Sequence, residues 1–460
     1  MVLMASARWP AVTFRSVRLP NPCAARATAF ASAQEKSLTL NTVAFSQIIM
    51  TKQLTGPTLA EFVTAQSVVS HVTQATPIEV SRFLEEILGV PVTMKCENLQ
   101  RTGAYKVRGA YNRMSKLSDA ERALGVVAAS AGNHAQGVAL AAHELGIHAT
   151  IFMPVGVALP KLQATKAYGA DVVLRGVIFN EALEAAKDFA EKSGAIFIPP
   201  FDNHDVIAGQ GTVGLEIWDQ VPDVETVIIP VGGGGLIAGV ASAMKQKAAA
   251  EGRPFRVIGV QSAQAAAYPP SLEAGAPTSI TVKPTIADGI SVAKPGALPF
   301  AIIQETVDEI VTVSDDDIAR ALLMLLERAK LVVEPAGAAG VAAILAGKIT
   351  ATGPTNVILS GGNIDPKLME RVISRGLIAS GRYLHIRIPL PDRPGQLARV
   401  AEIVAGQNAN VIEVLHTRHG TDLQISQVEL SVDIETRGPD HSDQVLDALR
   451  AEGYEPRVEI

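Results

Sequence analysis

Residues 226–244, TVIIPVGGGGLIAGVASAM, form the longest stretch of the chain free of Asp, Glu, Lys, Arg and His. It reaches the length at which a helix can cross a bilayer. Pro230 and the run Gly232, Gly233, Gly234 and Gly235 sit in its first half, where they would break a helix in lipid. The stretch therefore reads as a buried strand, a glycine loop and a helix, and no membrane partner is expected. The same rhythm recurs from residue 90 onward. Strand candidates are PVTMKCENL, GVVAAS, HATIFM, DVVLR, AIFIPP, TVIIPV, FRVIGVQS, EIVTVS and NVILSGG, with amphipathic stretches such as ALPKLQATKAYG and NEALEAAKDFAEKSG between them. Repeated alternation of strand and helix predicts an α/β domain with a largely parallel sheet. Ligands in such sheets bind outside the carboxyl ends of the strands.

The pattern shifts near residue 381. The last eighty residues read as strand RYLHIRIPL, helix GQLARVAEIVAGQ, strands NVIEVLHTR and LQISQVELSVDI, helix SDQVLDALRAEG and strand PRVEI, a βαββαβ unit of one small domain. The chain thus divides into an extension over 1–50, a large domain over 51–380 and a small one over 381–460. The extension holds Arg8, Arg15, Arg18 and Arg26 with no acid before Glu35, and it reads as unstructured. Two origins stay open for it, an organellar transit peptide or an upstream start ahead of Met50. The lack of an amphipathic arginine helix favours the second, and with it a cytoplasmic location.

Composition removes several function classes. The 40 Lys and Arg against 46 Asp and Glu give a net charge of −6, which argues against nucleic acid as a partner. Cys23 and Cys96 are the only cysteines, so neither a disulfide framework nor a cysteine-rich metal site is available.

Chemistry then falls to the loops. Gly232 to Gly235 lie between a buried strand and a helix, where backbone amides can converge on a phosphate and the helix dipole adds to the field. A dinucleotide fingerprint through Gly233, Gly235 and Ala238 competes with this reading. It requires an acid at the end of the next strand, and FRVIGVQS delivers Gln261 instead. In AASAGNHAQG a strand turns into a helix through Ser130, Ala131, Gly132, Asn133 and His134, a natural carboxylate site. Simple capping by Ser130 and Asn133 is equally compatible with the spacing, and His134 reads as structural. NVILSGGN ends a buried strand on Ser360, whose hydroxyl can donate to a ring nitrogen. Lys106 sits in TGAYKVRGA among small residues. A lysine that forms an imine must be neutral near pH 7, which requires partial burial against an ordinary pKa of about 10.4.

These four motifs, in this order over residues 60–380, resemble the fold-type II pyridoxal-phosphate enzymes, tryptophan synthase β-like in architecture, and within them the threonine and serine dehydratase group. The resemblance implies pyridoxal 5'-phosphate as cofactor, with Lys106 as its imine-forming residue and the α-proton base. Asn133 would bind the phenolic oxygen, Gly232 to Gly235 with Leu236 the phosphate, and Ser360 the pyridine nitrogen. Ser130 to His134 would bind the substrate carboxylate. The implied reaction is β-elimination and deamination of L-threonine to 2-oxobutanoate and ammonia, possible also with L-serine to give pyruvate. Serine dehydratase and 3-hydroxyaspartate ammonia-lyase are the alternatives. A non-catalytic amino-acid sensor is the alternative of another class, and the intact Lys106 argues against it.

Departures from the family pattern refine this. Ala104 and Tyr105 stand where the family usually has Ser and Phe. Ala131 replaces the second serine of related racemases, which makes racemisation unexpected as the main activity. Gln261, Ala265 and Ala267 stand where those enzymes build a divalent-cation site, so no metal is expected there. The C-terminal unit resembles an ACT domain, whose ligand loop matches Asp392, Arg393, Pro394, Gly395, Gln396 and Leu397. It implies allosteric control by a branched-chain amino acid, isoleucine first, as in isoleucine biosynthesis. The family also implies a homodimer or homotetramer.

Overall fold

The computed structural model describes residues 56–418 and 426–459. The expectations for residues 1–50, and Cys23 with them, fall outside these residues. Among the described residues no helix is long and apolar enough to cross a membrane. The uncharged, glycine-bearing stretch 226–244 is the strand Thr226–Pro230, a glycine turn and the first part of the helix Gly235–Glu251.

The large domain contains β1 (Ile78–Val80), β2 (Val92–Lys95), β3 (Val126–Ala129), β4 (Ala149–Met153), β5 (Asp171–Leu174), β6 (Ile196–Phe197), β7 (Thr226–Pro230), β8 (Arg256–Ser262), β9 (Glu309–Val313) and β10 (Thr355–Ile358). They form two sheets rather than one. One has the order β1-β2-β10-β7-β8-β9, parallel except for β1, which runs antiparallel at the edge. The other has the order β5-β4-β3-β6 and is wholly parallel. The division escapes the sequence for a physical reason. A parallel strand buried on both faces is written as a plain apolar run, which encodes burial but not the identity of its neighbours. Strand β1, not among the strand candidates, is a three-residue edge whose side chains are half-buried or exposed, so it carries no apolar run at all.

The helix His204–Gln220 packs against both Lys106–Ser115 and Gly235–Glu251. Both contacts use glycine. A Cβ on Gly209 would lie 2.6 Å from the Arg108 carbonyl, and one on Gly211 would lie 2.8 Å from that of Gly239. These glycines thus let three helix backbones come close together. Arg108 anchors the same region. It is fully buried, and its guanidinium donates to both Glu97 oxygens at 2.8 Å and to Glu216 Oε1 at 2.6 Å. Lys95 adds a 2.7 Å pair to Glu216. Removing one member of such a network strands a buried charge, so the network fixes the start of the Lys106 helix firmly.

The C-terminal unit follows the expected βαββαβ order. β11 (Tyr383–Pro391), β12 (Asn410–Thr417), β13 (Gln427–Glu435) and β14 (Arg457–Val458) form an antiparallel sheet in the order β12-β13-β11-β14. Alternate residues of β11 and β13, among them Ile386, Ile388, Leu430 and Val432, are buried in its core with residues of helices Gln396–Gly406 and Pro439–Ala451. The two domains meet in part through an ion pair between Arg382 and Glu327.

Candidate active site

Lys106 opens its helix without a side-chain cap. Its Nζ donates to the Pro200 carbonyl at 3.0 Å and lies 5.2 Å from the centre of the Tyr105 ring. Burial lowers its pKa to about 8, against an opposing pull from the Glu334 carboxyl. The amine is therefore far easier to deprotonate than a surface lysine, as imine chemistry requires.

Two of the motif loops are joined backbone to backbone. Ala104 bridges Gly361, Gly362 N donates to Gly103 O at 2.8 Å, and Tyr105 N donates to Ser360 O at 3.3 Å. Ser360 lies two residues beyond the end of β10 and is only 4 % exposed. Its Oγ makes no hydrogen bond among the described residues, so the hydroxyl is free to donate to a ligand atom.

In the glycine loop, Gly233 O accepts from Tyr268 Oη at 3.2 Å and from Gly296 N at 3.1 Å, which fixes the peptide's orientation. The amides of Gly232, Gly233 and Gly234 find no acceptor among the described residues, and the first amides of the following helix are free by construction. Amides arranged in this way can cradle an anion. The glycines are required by the protein packed behind the loop. A Cβ on Gly234 would run into Tyr268 and lie 2.8 Å from Pro299 Cβ, and one on Gly235 would lie 2.8 Å from Phe201 Cβ. A side chain here would collide with the protein wall behind the loop rather than enter the phosphate space.

The third loop follows β3. Ser130 Oγ accepts from Gly132 N at 3.1 Å, so it braces the loop rather than capping the helix Asn133–Leu145, whose N-cap is Gly132. The amides of Ala131, Asn133 and His134 have no acceptor among the described residues, which suits a carboxylate. His134 is buried with Nε2 bonded to Ile198 O at 2.9 Å, and burial beside Lys106 pushes its pKa down to about 3. It is neutral and structural. Gln261 receives Tyr268 N at 2.9 Å and reaches Val231 O at 3.3 Å, so it supports the tyrosine that steadies the glycine loop.

Sequence reasoning missed Glu334, and gave no role to Asn363. Asn133 Nδ2 donates to Glu334 Oε1 at 2.7 Å, and Asn133 Oδ1 accepts from Asn363 Nδ2 at 2.9 Å. Burial, reinforced by Asp288, raises the Glu334 pKa to about 7. The available signal was an acid placed immediately before Pro335 at the head of PAGAAGVAAIL, a helix with no polar face on which the acid could be solvated. A cleft of about 300 Å³ adjoins the site, lined by Lys161, Asp288, Asn363, Asp365 and Arg371 among others. Lys161 and Asp288 pair across it at 2.8 Å.

In the small domain, Asp392 to Gly395 form the turn between β11 and the first helix, which Gln396 and Leu397 open. Gly395 has φ +89°, Asp392 lies 3.5 Å from Arg418, and Gln396 accepts from Tyr454 Oη at 3.2 Å.

The residues present fit pyridoxal phosphate group by group: an amine of lowered pKa for the aldehyde, unpaired amides for the phosphate and an unpaired hydroxyl for the ring nitrogen. The comparisons agree. Residues 69–361 match the family model described as "Pyridoxal-phosphate dependent enzyme", and residues 385–453 match the ACT domain. The chain is 46% identical to the L-threonine ammonia-lyase of Thermotoga maritima over 87% of its own length and 99% of that protein's. Among solved structures it is similar to the processed form of threonine deaminase isoform 2 from Solanum lycopersicum, with TM-score 0.65 and 40% identity over 70% of this chain and 95% of that one. Maize serine racemase superposes with TM-score 0.65 at 33% identity, covering 70% of this chain and 99% of that one. The chain belongs to the family of pyridoxal-phosphate-dependent enzymes, uses pyridoxal phosphate as its cofactor and carries a C-terminal ACT domain.

Proposed function

We propose that this enzyme deaminates L-threonine to 2-oxobutanoate and ammonia, with L-serine as a secondary substrate. The observation that carries the reading is the placement of Lys106. Its amine, lowered to about 8, shares one site with the unpaired amides of Ala131, Asn133 and His134 and with the glycine cradle. The relatives' names supply the substrate, and the residues supply the means.

Pyridoxal phosphate, held by Lys106, Asn133, Gly232 to Leu236 and Ser360, supplies an electron sink for the pair released when the substrate's Cα–H bond breaks. Ser130 to His134 orient the substrate through its carboxylate. Lys106 Nζ, neutral once freed, takes the α-proton. Loss of the β-hydroxyl as water leaves an enamine that hydrolyses to 2-oxobutanoate and ammonia. Ala131 has no side-chain group that can return a proton to the opposite face of Cα, which favours elimination over racemisation.

Residues 51–380 form the catalytic domain in this reading, and 381–460 regulate it by binding a branched-chain amino acid, isoleucine first, at the Asp392–Leu397 turn. The sheet of the small domain has helices on one face only, which favours pairing of two copies and hence a homodimer or homotetramer. A cytoplasmic location completes the proposal. Turnover of L-threonine, L-serine and 3-hydroxyaspartate, read as 2-oxo acid formation, tests it. The highest kcat/KM is expected with threonine, and no 2-oxo acid from any of the three would refute the assignment.

A further inference from the structure

Glu334 is 4 % exposed, yet among the described residues no cation pairs with it. Lys161, the nearest candidate through its field, pairs with Asp288 instead. Nor does Glu334 cap the helix that it precedes: its side chain makes no bond to that helix's amides. It turns into the active site and accepts from Asn133 Nδ2 at 2.7 Å. A buried carboxyl in this state is destabilising, so its position calls for a role.

The geometry around Asn133 indicates one. Asn363 Nδ2 donates both to Thr102 O at 2.7 Å and to Asn133 Oδ1 at 2.9 Å. With Asn363 donating to its oxygen and Glu334 accepting from its nitrogen, the Asn133 amide can sit only one way round. One Nδ2 hydrogen is taken by Glu334, and the other is left pointing elsewhere. Glu334 itself is held by its backbone N–H, which donates to Gly361 O at 2.9 Å beside Ser360.

We propose that Glu334 is a positioning residue that acts through Asn133, locking its amide so that the free Nδ2 hydrogen faces the phenolic oxygen of the cofactor. This rests on the reading of Asn133 as the cofactor's phenolic-oxygen ligand. The charge state of Glu334 then sets how firmly the amide is held, because a hydrogen bond to a carboxylate is roughly twice as strong as one to a neutral acceptor. The groups that face Glu334 are Asn133, Asp288, Lys161, Lys106 and the Tyr105 phenol. With its pKa raised to about 7, Glu334 changes charge near neutrality.

The test uses the full chain freed of cofactor and pyridoxine 5'-phosphate as probe, which carries the phenolic oxygen and the phosphate but no aldehyde for Lys106. Dissociation constants are measured for the parent chain, Glu334→Gln, Glu334→Ala, Asn133→Ala and the double variant Glu334→Ala/Asn133→Ala. Glu334→Gln keeps an acceptor for Nδ2 but cannot ionise. It is expected to bind about threefold more weakly than the parent at about pH 8 and equally at about pH 6. Glu334→Ala is expected to weaken binding about tenfold, the equivalent of about 1.4 kcal/mol. In the Asn133→Ala background it is expected to add nothing. Multiplying losses in the double variant, or a Gln-to-parent ratio that is the same at both pH values, would overturn the proposal. If Glu334→Ala does not fold, the Gln ratio alone decides. Threonine turnover plays no part in these measurements, so the substrate assignment and this inference stand or fall separately.

Discussion

Replacing Gly234 with alanine tests whether the glycine loop is shaped by the wall behind it. Gly234 has φ +99°, a conformation that costs an L-residue about 1–2 kcal/mol. The new Cβ would also overlap the Tyr268 hydroxyl and lie 3.0 Å from Ile303 Cδ1. Tyr268 is fully buried and has little freedom to withdraw, so overpacking adds about 1–3 kcal/mol. The sum is a destabilisation of about 2–5 kcal/mol. Part of it is expected as weaker cofactor binding, because Tyr268 holds the Gly233 carbonyl that orients the cradle. A second change separates the two contributions. Tyr268→Phe alone loses one hydrogen bond, about 1 kcal/mol. Combined with Gly234→Ala it removes the colliding oxygen and is expected to recover the part of the overpacking due to Tyr268, but not the 2.8 Å contact with Pro299 Cβ or the backbone strain. Thermal melting of the full chain and titration with pyridoxal phosphate report both. Unchanged melting and affinity in Gly234→Ala, or no recovery in the double variant, would refute the steric account.

Three further outcomes are expected. Arg108→Met leaves Glu97 buried without its cation and should lower stability by about 3–5 kcal/mol, read by thermal or chemical denaturation; a neutral result would mean that the network contributes little. Because burial lowers the Lys106 pKa from 10.5 to about 8, the neutral fraction of its amine grows as pH rises to that point. The rate of pyridoxal-phosphate uptake by the cofactor-free chain should therefore rise about tenfold per pH unit below about 8 and level off above it, followed by the change in cofactor absorbance; a flat profile would contradict the assignment. Truncation after Gly381 removes the Arg382–Glu327 pair and the whole ACT domain. The shortened enzyme should still deaminate threonine but lose any response to isoleucine or valine, and a retained response would place the effector site in the catalytic domain.

What could be read in the sequence was whatever is written locally. Lys106, the four glycines, the Ser130 loop and Ser360 each stand at a strand's carboxyl end or a helix start, and short-range rules locate such places. The βαββαβ order of the small domain was legible for the same reason, since alternation along β11 and β13 marks a sheet with one buried face. Long-range partnerships were not. Glu334 and Asn133 are 201 positions apart, and Asn363 lies 230 from Asn133. No neighbouring residue of Glu334 signals its acceptor role, although an acid heading an all-apolar helix was a clue to burial. The glycines were legible as glycines, but the reason for them was not. Tyr268 and Phe201, which forbid side chains at Gly234 and Gly235, come from distant segments. The split into two sheets was hidden likewise, because runs such as VVAA and TVIIP carry no label for the strand beside them.

The identity of the cofactor lysine is open to one direct measurement. The holoenzyme is reduced with borohydride, which fixes pyridoxal phosphate on the lysine that holds it, and the digested chain is mapped by mass spectrometry. The phosphopyridoxyl group is expected on the peptide that contains Lys106, whose Nζ rests on Pro200 O beside the unpaired amides of the glycine loop. Its appearance on Lys161, Lys95 or any other lysine, with Lys106 unmodified, would contradict the assignment of the active site.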